Sequence, residues 1–149
     1  MIEGVLLTLL PQFHDERGKV MRMLRSSDKH FTSFGEIYFS TVYGGVVKGW
    51  HKHSKMSINY ACISGQVKVV LYDDRVHSKT RFQIKEYFLG PDNYYLLSVP
   101  PGIWNGFKGI GGEPSIVANC SDIEHSDGEI KRIPFNDPSI PYDWKVIHR

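Results

Sequence analysis

Long apolar runs, paired cysteines, blocks of like charge and helical periodicity are all scarce in this chain, and each scarcity excludes something. The most apolar stretch, Met-Ile-Glu-Gly-Val-Leu-Leu-Thr-Leu-Leu-Pro at residues 1–11, is far below the ~20 residues that a membrane helix needs. It carries Glu3 and has no basic leader, so it reads poorly as a signal peptide. A cytoplasmic protein with no membrane partner is expected. Two cysteines, Cys62 and Cys120, are too few for a disulfide framework and fit a reducing compartment. Buried packing is their expected role. Lysine and arginine number 18 against 16 aspartates and glutamates. With no basic block or stripe among them, no nucleic-acid partner is expected.

What is present points to β structure. At 149 residues, with 41% hydrophobic side chains, the chain is expected to form one domain over 1–149 with a real core. Short β-rich runs recur between turn residues at 36–43, 57–63, 66–72, 81–89, 94–99, 102–109, 115–119 and 130–133, with 19–25 before them. In Gln66-Val-Lys-Val-Val-Leu-Tyr72 the residues Val67, Val69 and Leu71 share one face and Lys68 takes the other. Ser64-Gly65 and Gly90-Pro91-Asp92-Asn93 are candidate hairpin turns. Many short strands with abundant aromatics suggest a closed sandwich or barrel.

The residues richest in chemistry lie in a spaced frame. Gly45-Val-Val-Lys-Gly-Trp-His51-Lys-His53 is followed by Gly65 and then by Pro100-Pro-Gly-Ile-Trp-Asn105. On a strand, His51 and His53 would project from one face, roughly 6.5–7 Å apart along it. Two neutral imidazoles there suit either a metal ion or proton transfer. The frame resembles the two-motif signature of the cupin superfamily, which implies an all-β, single-domain jelly-roll barrel. In metal-binding cupins a glutamate and a further histidine complete the site; those positions here read Ile58 and Asn105. A metal site normally wants three or four protein ligands, so no metal and no cofactor are expected.

Further motifs resemble the dTDP-4-dehydrorhamnose 3,5-epimerase family over most of the chain. Asp15-Glu-Arg17-Gly18 resembles its Asp-x-Arg-Gly, and Lys48-Gly-Trp-His51 its Arg-Gly-Leu-His. Gly65-Gln-Val-Lys-Val-Val-Leu-Tyr-Asp73-Asp74-Arg75 resembles its Gly-x-Val-x-Asp-Val-x-x-Asp-x-Arg. Val99-Pro-Pro-Gly-Ile-Trp-Asn-Gly-Phe107 and Asn136-Asp137-Pro138, with Ile140 and Trp144 after it, match two more of its motifs. The resemblance implies an isomerase that epimerises a nucleotide-activated 4-keto-6-deoxy sugar at C3 and/or C5 through an enolate, in polysaccharide or deoxysugar biosynthesis. It also implies a homodimer that exchanges N-terminal strands, for which residues 5–10 would serve.

By the same resemblance His51 is the catalytic base. The family's lysine position falls at Ile58 and its Pro-x-Gly histidine at Asn105. Its catalytic tyrosine falls near Ile123-Glu-His125, and the aspartate partner of its base has no counterpart. His125 is the candidate for the tyrosine's role. Asn59, Asn105 and His53 are candidate donors to an enolate, which needs preorganised hydrogen bonds. Arg17, Arg75 and Lys48 are candidates for the diphosphate, and Trp104 for stacking on base or sugar. Lys48-Gly-Trp-His51-Lys-His53 and Pro100-Pro-Gly-Ile-Trp104 also resemble segments of the sugar-nucleotide 3,4-ketoisomerases. There both histidines would act on the sugar. A non-catalytic sugar-nucleotide-binding cupin is the alternative from another class.

Overall fold

Each of the β-rich runs becomes a strand in a computed structural model of the chain, which describes residues 1–148. In chain order these are β1 (Leu6–Leu9), β2 (Gln12–Asp15), β3 (Gly18–Met21), β4 (Glu36–Val42), β5 (Val47–His53) and β6 (Ile58–Ser64). β7 (Gln66–Asp73), β8 (Ile84–Leu89), β9 (Tyr95–Val99), β10 (Ile103–Ile110), β11 (Ser115–Ser121) and β12 (Ile130–Arg132) follow, with one 3-10 turn at Asp127–Glu129. β1, β2 and β5 lie outside those runs. The first two have four residues each, and β5 carries Gly49 and four cationic or imidazole side chains. No helix among the described residues is long and apolar enough to cross a membrane.

The strands form two five-stranded sheets, ordered β1-β9-β6-β11-β4 and β12-β5-β10-β7-β8, with β2-β3 as a separate hairpin. All pairings between named strands are antiparallel. The architecture is the expected all-β cupin jelly roll. Its core lies between the sheets, where Val67, Val69 and Leu71 of β7 meet Ile58, Tyr60 and Cys62 of β6. The period-2 pattern of β7 thus predicts its inner face correctly. Its outer face is covered as well: Val70 and Tyr72 join Trp50, Trp104, Ile140 and Trp144 in a second cluster outside the sheet. The Phe135 carbonyl accepts hydrogen bonds from both the Trp50 and the Trp144 indoles, at 3.1 and 3.2 Å. Both cysteines are buried and free.

Neither expected hairpin turn joins paired strands. β6 and β7 belong to different sheets, as do β8 and β9, so Gly65 and the Gly90–Asn93 bridge turn the chain from one sheet to the other. Gly65 has φ +71°, and a Cβ there would lie 2.4 Å from the Ser115 Oγ and 2.8 Å from the Ser115 Cα. Gly65→Ala should therefore destabilise the fold by more than about 1 kcal/mol. An unchanged denaturation midpoint would contradict this account of the crossing.

Candidate active site

β5 alternates between two environments. Trp50 points outward into the aromatic cluster, while His51 and His53 face the space between the sheets. In register, His51 lies between Asn105 of β10 and Arg132 of β12, and His53 is opposite Ile130. The two imidazoles meet edge to face, with ring centroids 5.7 Å apart. They share a face, as the spacing predicts, but their partners differ.

His53 Nδ1 donates to Glu129 Oε2 at 2.6 Å, and both side chains are about 95% buried. The other oxygen, Oε1, accepts the Lys55 and Met56 backbone N–H groups, each at 2.8 Å. Burial disfavours the ionised carboxylate, but these donors outweigh it and hold the Glu129 carboxyl below its usual range. Because Nδ1 is the donor, Nε2 carries the lone pair of neutral His53. A carboxylate that orients an imidazole in this way also stabilises the imidazolium formed when the ring takes up a proton.

His51 has neutral partners. Its Nε2 lies 3.1 Å from the Tyr60 hydroxyl, which donates to Asn105 Oδ1 at 2.7 Å. Asn105 Nδ2 in turn donates to the His51 and Ile103 carbonyls, both at 3.2 Å. Burial, reinforced by His53 and Arg132, pushes the His51 imidazole down to about 3. It is therefore neutral throughout the physiological range. Burial also raises the Tyr60 phenol, with Tyr38 adding to the effect, so Tyr60 stays protonated.

Both histidines open onto a cavity of about 410 Å³, walled by Glu36 and Tyr38 of β4, His125, Ile130 and Arg132. A second lobe of about 470 Å³ shares Tyr38, His51 and Arg132 with it and adds Ser40, Lys48 and Asn119. His51 thus borders both lobes. The Tyr38 phenol is raised by burial and by Glu36, so it enters the cavity as a proton donor. Among the described residues, no three His, Cys, Asp or Glu side chains converge to hold a metal ion.

Known proteins with this architecture share its sequence pattern. The pattern of the dTDP-4-dehydrorhamnose 3,5-epimerases matches residues 1–149. The chain belongs to the dTDP-4-dehydrorhamnose 3,5-epimerase family. It is 32% identical to the spore coat polysaccharide biosynthesis protein SpsL of Bacillus subtilis, over the full length of both. It is 36% identical to the probable low-salt glycan biosynthesis epimerase Agl13 of Haloferax volcanii, over 90% of this chain and 89% of that protein. A dTDP sugar isomerase from Desulfovibrio desulfuricans superposes with a TM-score of 0.94 at 46% identity, covering 96% of this chain and 92% of its own. As a member of this epimerase family, the protein is an isomerase.

The epimerase cavity gathers only some of the residues singled out in the sequence. His51, His53, His125 and Lys48 line it; the others do not. Arg17 sits on the exposed β2–β3 hairpin, paired with Asp15 beside a separate depression. Arg75 is locked onto fully buried Asp73, with further bonds to the Glu3 carbonyl and Ser78, so its guanidinium is a structural clamp. Asn59 is buried and spent on Ser98 and the Cys120 carbonyl. Trp104 lies in the outer cluster, its indole N–H on Asp74 and its ring 4.6 Å from the Lys52 ammonium. Asn105 is 1% exposed and reaches His51 through Tyr60, beneath the cavity floor. Ile58, at the epimerases' lysine position, is core.

Sequence reading missed Glu129, Tyr38, Glu36 and Arg132 as site residues. One signal could have found part of this set. On β4 the polar residues Glu36, Tyr38 and Ser40 alternate with Ile37 and Phe39, and the apolar pair faces outward at 50% and 61% exposure. A strand with its polar face inward lines a polar cavity.

Proposed function

We propose that the protein epimerises a nucleotide-linked 4-keto-6-deoxy sugar at C3 and/or C5, without a metal, through an enolate. The observation that carries this reading is the pair of imidazoles on the floor of a cavity whose opposite wall holds a protonated phenol. His51, which borders both lobes, takes the proton from the carbon beside the ketone, and the electron pair moves onto the ketone oxygen as the enolate forms. One positioned acid–base group of this kind is worth on the order of 10²–10⁴ in rate. Arg132, His125 and the Tyr38 hydroxyl are the donors available to the enolate oxygen. Epimerisation is completed when a proton returns to the opposite face of the carbon. Tyr38, on the facing strand β4, is placed to supply it. Lys48 and Arg132 in the second lobe offer the cations that a diphosphate requires. The names of the two curated relatives, concerned with spore coat polysaccharide and low-salt glycan, support a role in polysaccharide or deoxysugar biosynthesis.

A second reading is favoured by the His53–Glu129 couple. A 3,4-ketoisomerase would use His51 and His53 in succession to move the carbonyl to the neighbouring carbon. Incubation with dTDP-4-keto-6-deoxyglucose in D₂O, followed by NMR, separates the two. Deuterium at C3 or C5 with the ketone still at C4 is the expected result. A ketone at C3 would establish the isomerase instead, and nucleotide binding without exchange would leave a non-catalytic binder of this sugar.

We read the protein as a homodimer. Leu6 and Leu9 on edge strand β1, and Ile37 and Phe39 on edge strand β4, are apolar and about half exposed or more. Such edges are normally covered. Light scattering should return twice the 17.1 kDa chain mass; a monomer would dismiss this reading.

A further inference from the structure

We infer that Asn105 and Tyr60 form a buried proton-ordering chain that fixes the tautomer of His51, leaving Nδ1 as the only basic nitrogen of that ring. The inference rests on the reading of His51 as the base and adds how that base is held.

Asn105 is 1% exposed, and its amide faces three fixed groups. Two are backbone carbonyls, of His51 and Ile103, each 3.2 Å from Nδ2. Carbonyl oxygens only accept, so the NH₂ group must be turned towards them. Turning the amide over would set Oδ1 against both carbonyls, acceptor against acceptor, and lose both hydrogen bonds. Each such loss costs about 1–3 kcal/mol. Oδ1 must therefore face Tyr60, where it can only accept, and the phenol commits its single proton to it at 2.7 Å. The phenol oxygen then has only lone pairs to offer His51. Its neighbour at 3.1 Å, His51 Nε2, must carry the hydrogen. A neutral imidazole has one N–H, so Nδ1 keeps the lone pair.

His53 is set the opposite way. Its Nδ1–H is spent on Glu129, and its free lone pair is on Nε2. Two histidines two residues apart on one strand are thus held as opposite tautomers, one by an ionised carboxylate and the other by a phenol and an amide. The neutral chain orients His51 without adding the negative charge that would favour its imidazolium. This agrees with an imidazole that burial keeps unprotonated. Asn105 and Tyr60 are positioning residues here, since neither lines the lobe that holds both histidines. Asn105 stands where the Pro-x-Gly motif of the resembled family has a histidine. A histidine there could not give two hydrogens to two carbonyls and still accept from a phenol.

The test is a ¹⁵N–¹H long-range correlation spectrum of the full-length protein with ¹⁵N-labelled histidine, the His51 signals being assigned by their loss in His51→Asn. His51 should appear as the Nε2–H tautomer and His53 as the Nδ1–H tautomer. Tyr60→Phe removes only the hydroxyl; it should turn His51 into a tautomer mixture and slow sugar deuterium exchange by up to about tenfold, the worth of one hydrogen bond. Asn105→Leu should do the same. A wild-type spectrum with His51 as the Nδ1–H tautomer overturns the inference without any variant. So does a Tyr60→Phe protein whose His51 signals and exchange rate are unchanged. Failure of the base assignment has a different signature: exchange that survives His51→Asn, whatever the tautomer in the wild type.

Discussion

His51→Asn is expected to lower substrate-dependent deuterium exchange by on the order of 10²–10⁴-fold, the contribution of one positioned base. Asparagine keeps a polar group above Tyr60 and fills most of the same space, so the loss should come with little loss of fold. The pH dependence is an independent check. Burial holds the His51 imidazole near 3, so the ring is unprotonated from about pH 5 to pH 8, and its titration should produce no inflection in that range. An exchange rate that halves near pH 6.5 in the wild type, and loses that inflection in His51→Asn, would show an ordinary imidazole and remove the buried-base account. If His53→Asn proved the more damaging change, the carboxylate-backed ring would be the base instead.

The largest stability effect should come from Glu129→Ala. That change strands the His53 N–H together with the backbone N–H groups of Lys55 and Met56. Leaving a buried donor unsatisfied typically costs about 1–3 kcal/mol, and three are left here, a loss that a urea titration resolves easily. Acid should expose the same couple. A carboxyl whose value is lowered in the folded state stabilises the fold fully above its ordinary value of 4.5, and that contribution fades as pH falls through the folded value. His51 acts earlier. The unfolded imidazole binds a proton below its ordinary 6.5 while the folded one resists until about 3. Folding therefore loses up to about 1.4 kcal/mol per pH unit across that interval. The urea midpoint should fall in two stages, the first abolished by His51→Asn and the second reduced by Glu129→Gln. A flat midpoint between pH 6.5 and pH 4.5 would contradict the burial of His51.

Much of the fold was legible because strand signals are local. β7 displays its inner face through three residues at alternate positions, and β4, β6, β8 to β12 and part of β3 lie where the β-rich runs are. The sheet order was not legible: Ser64-Gly65 reads as a hairpin turn because turn chemistry is the same whether the chain reverses within a sheet or crosses to another. The site divides in the same way. His51 and His53 lie on one strand and announce each other by spacing. Glu129, however, is 76 residues from His53 in sequence, and Asn105 is 45 from Tyr60. Contacts of that kind arise from register between distant strands, which no window of sequence contains. Arg75 is a related case. Its motif is real, but its charge is consumed by Asp73, two residues away.

The aromatic cluster behind β5 offers a practical consequence. All three tryptophans of the chain, Trp50, Trp104 and Trp144, belong to it. Tryptophan emission from this protein therefore comes from one place, the reverse side of the strand that carries His51 and His53. Trp50 is the residue next to His51, and its ring centroid lies 5.0 Å from that of Trp144. Any occupant of the cavity that shifts β5 must disturb that pair. Ultraviolet fluorescence can thus act as a label-free titration signal for nucleotide sugars, read from behind the site and with no dye or chromogenic substrate.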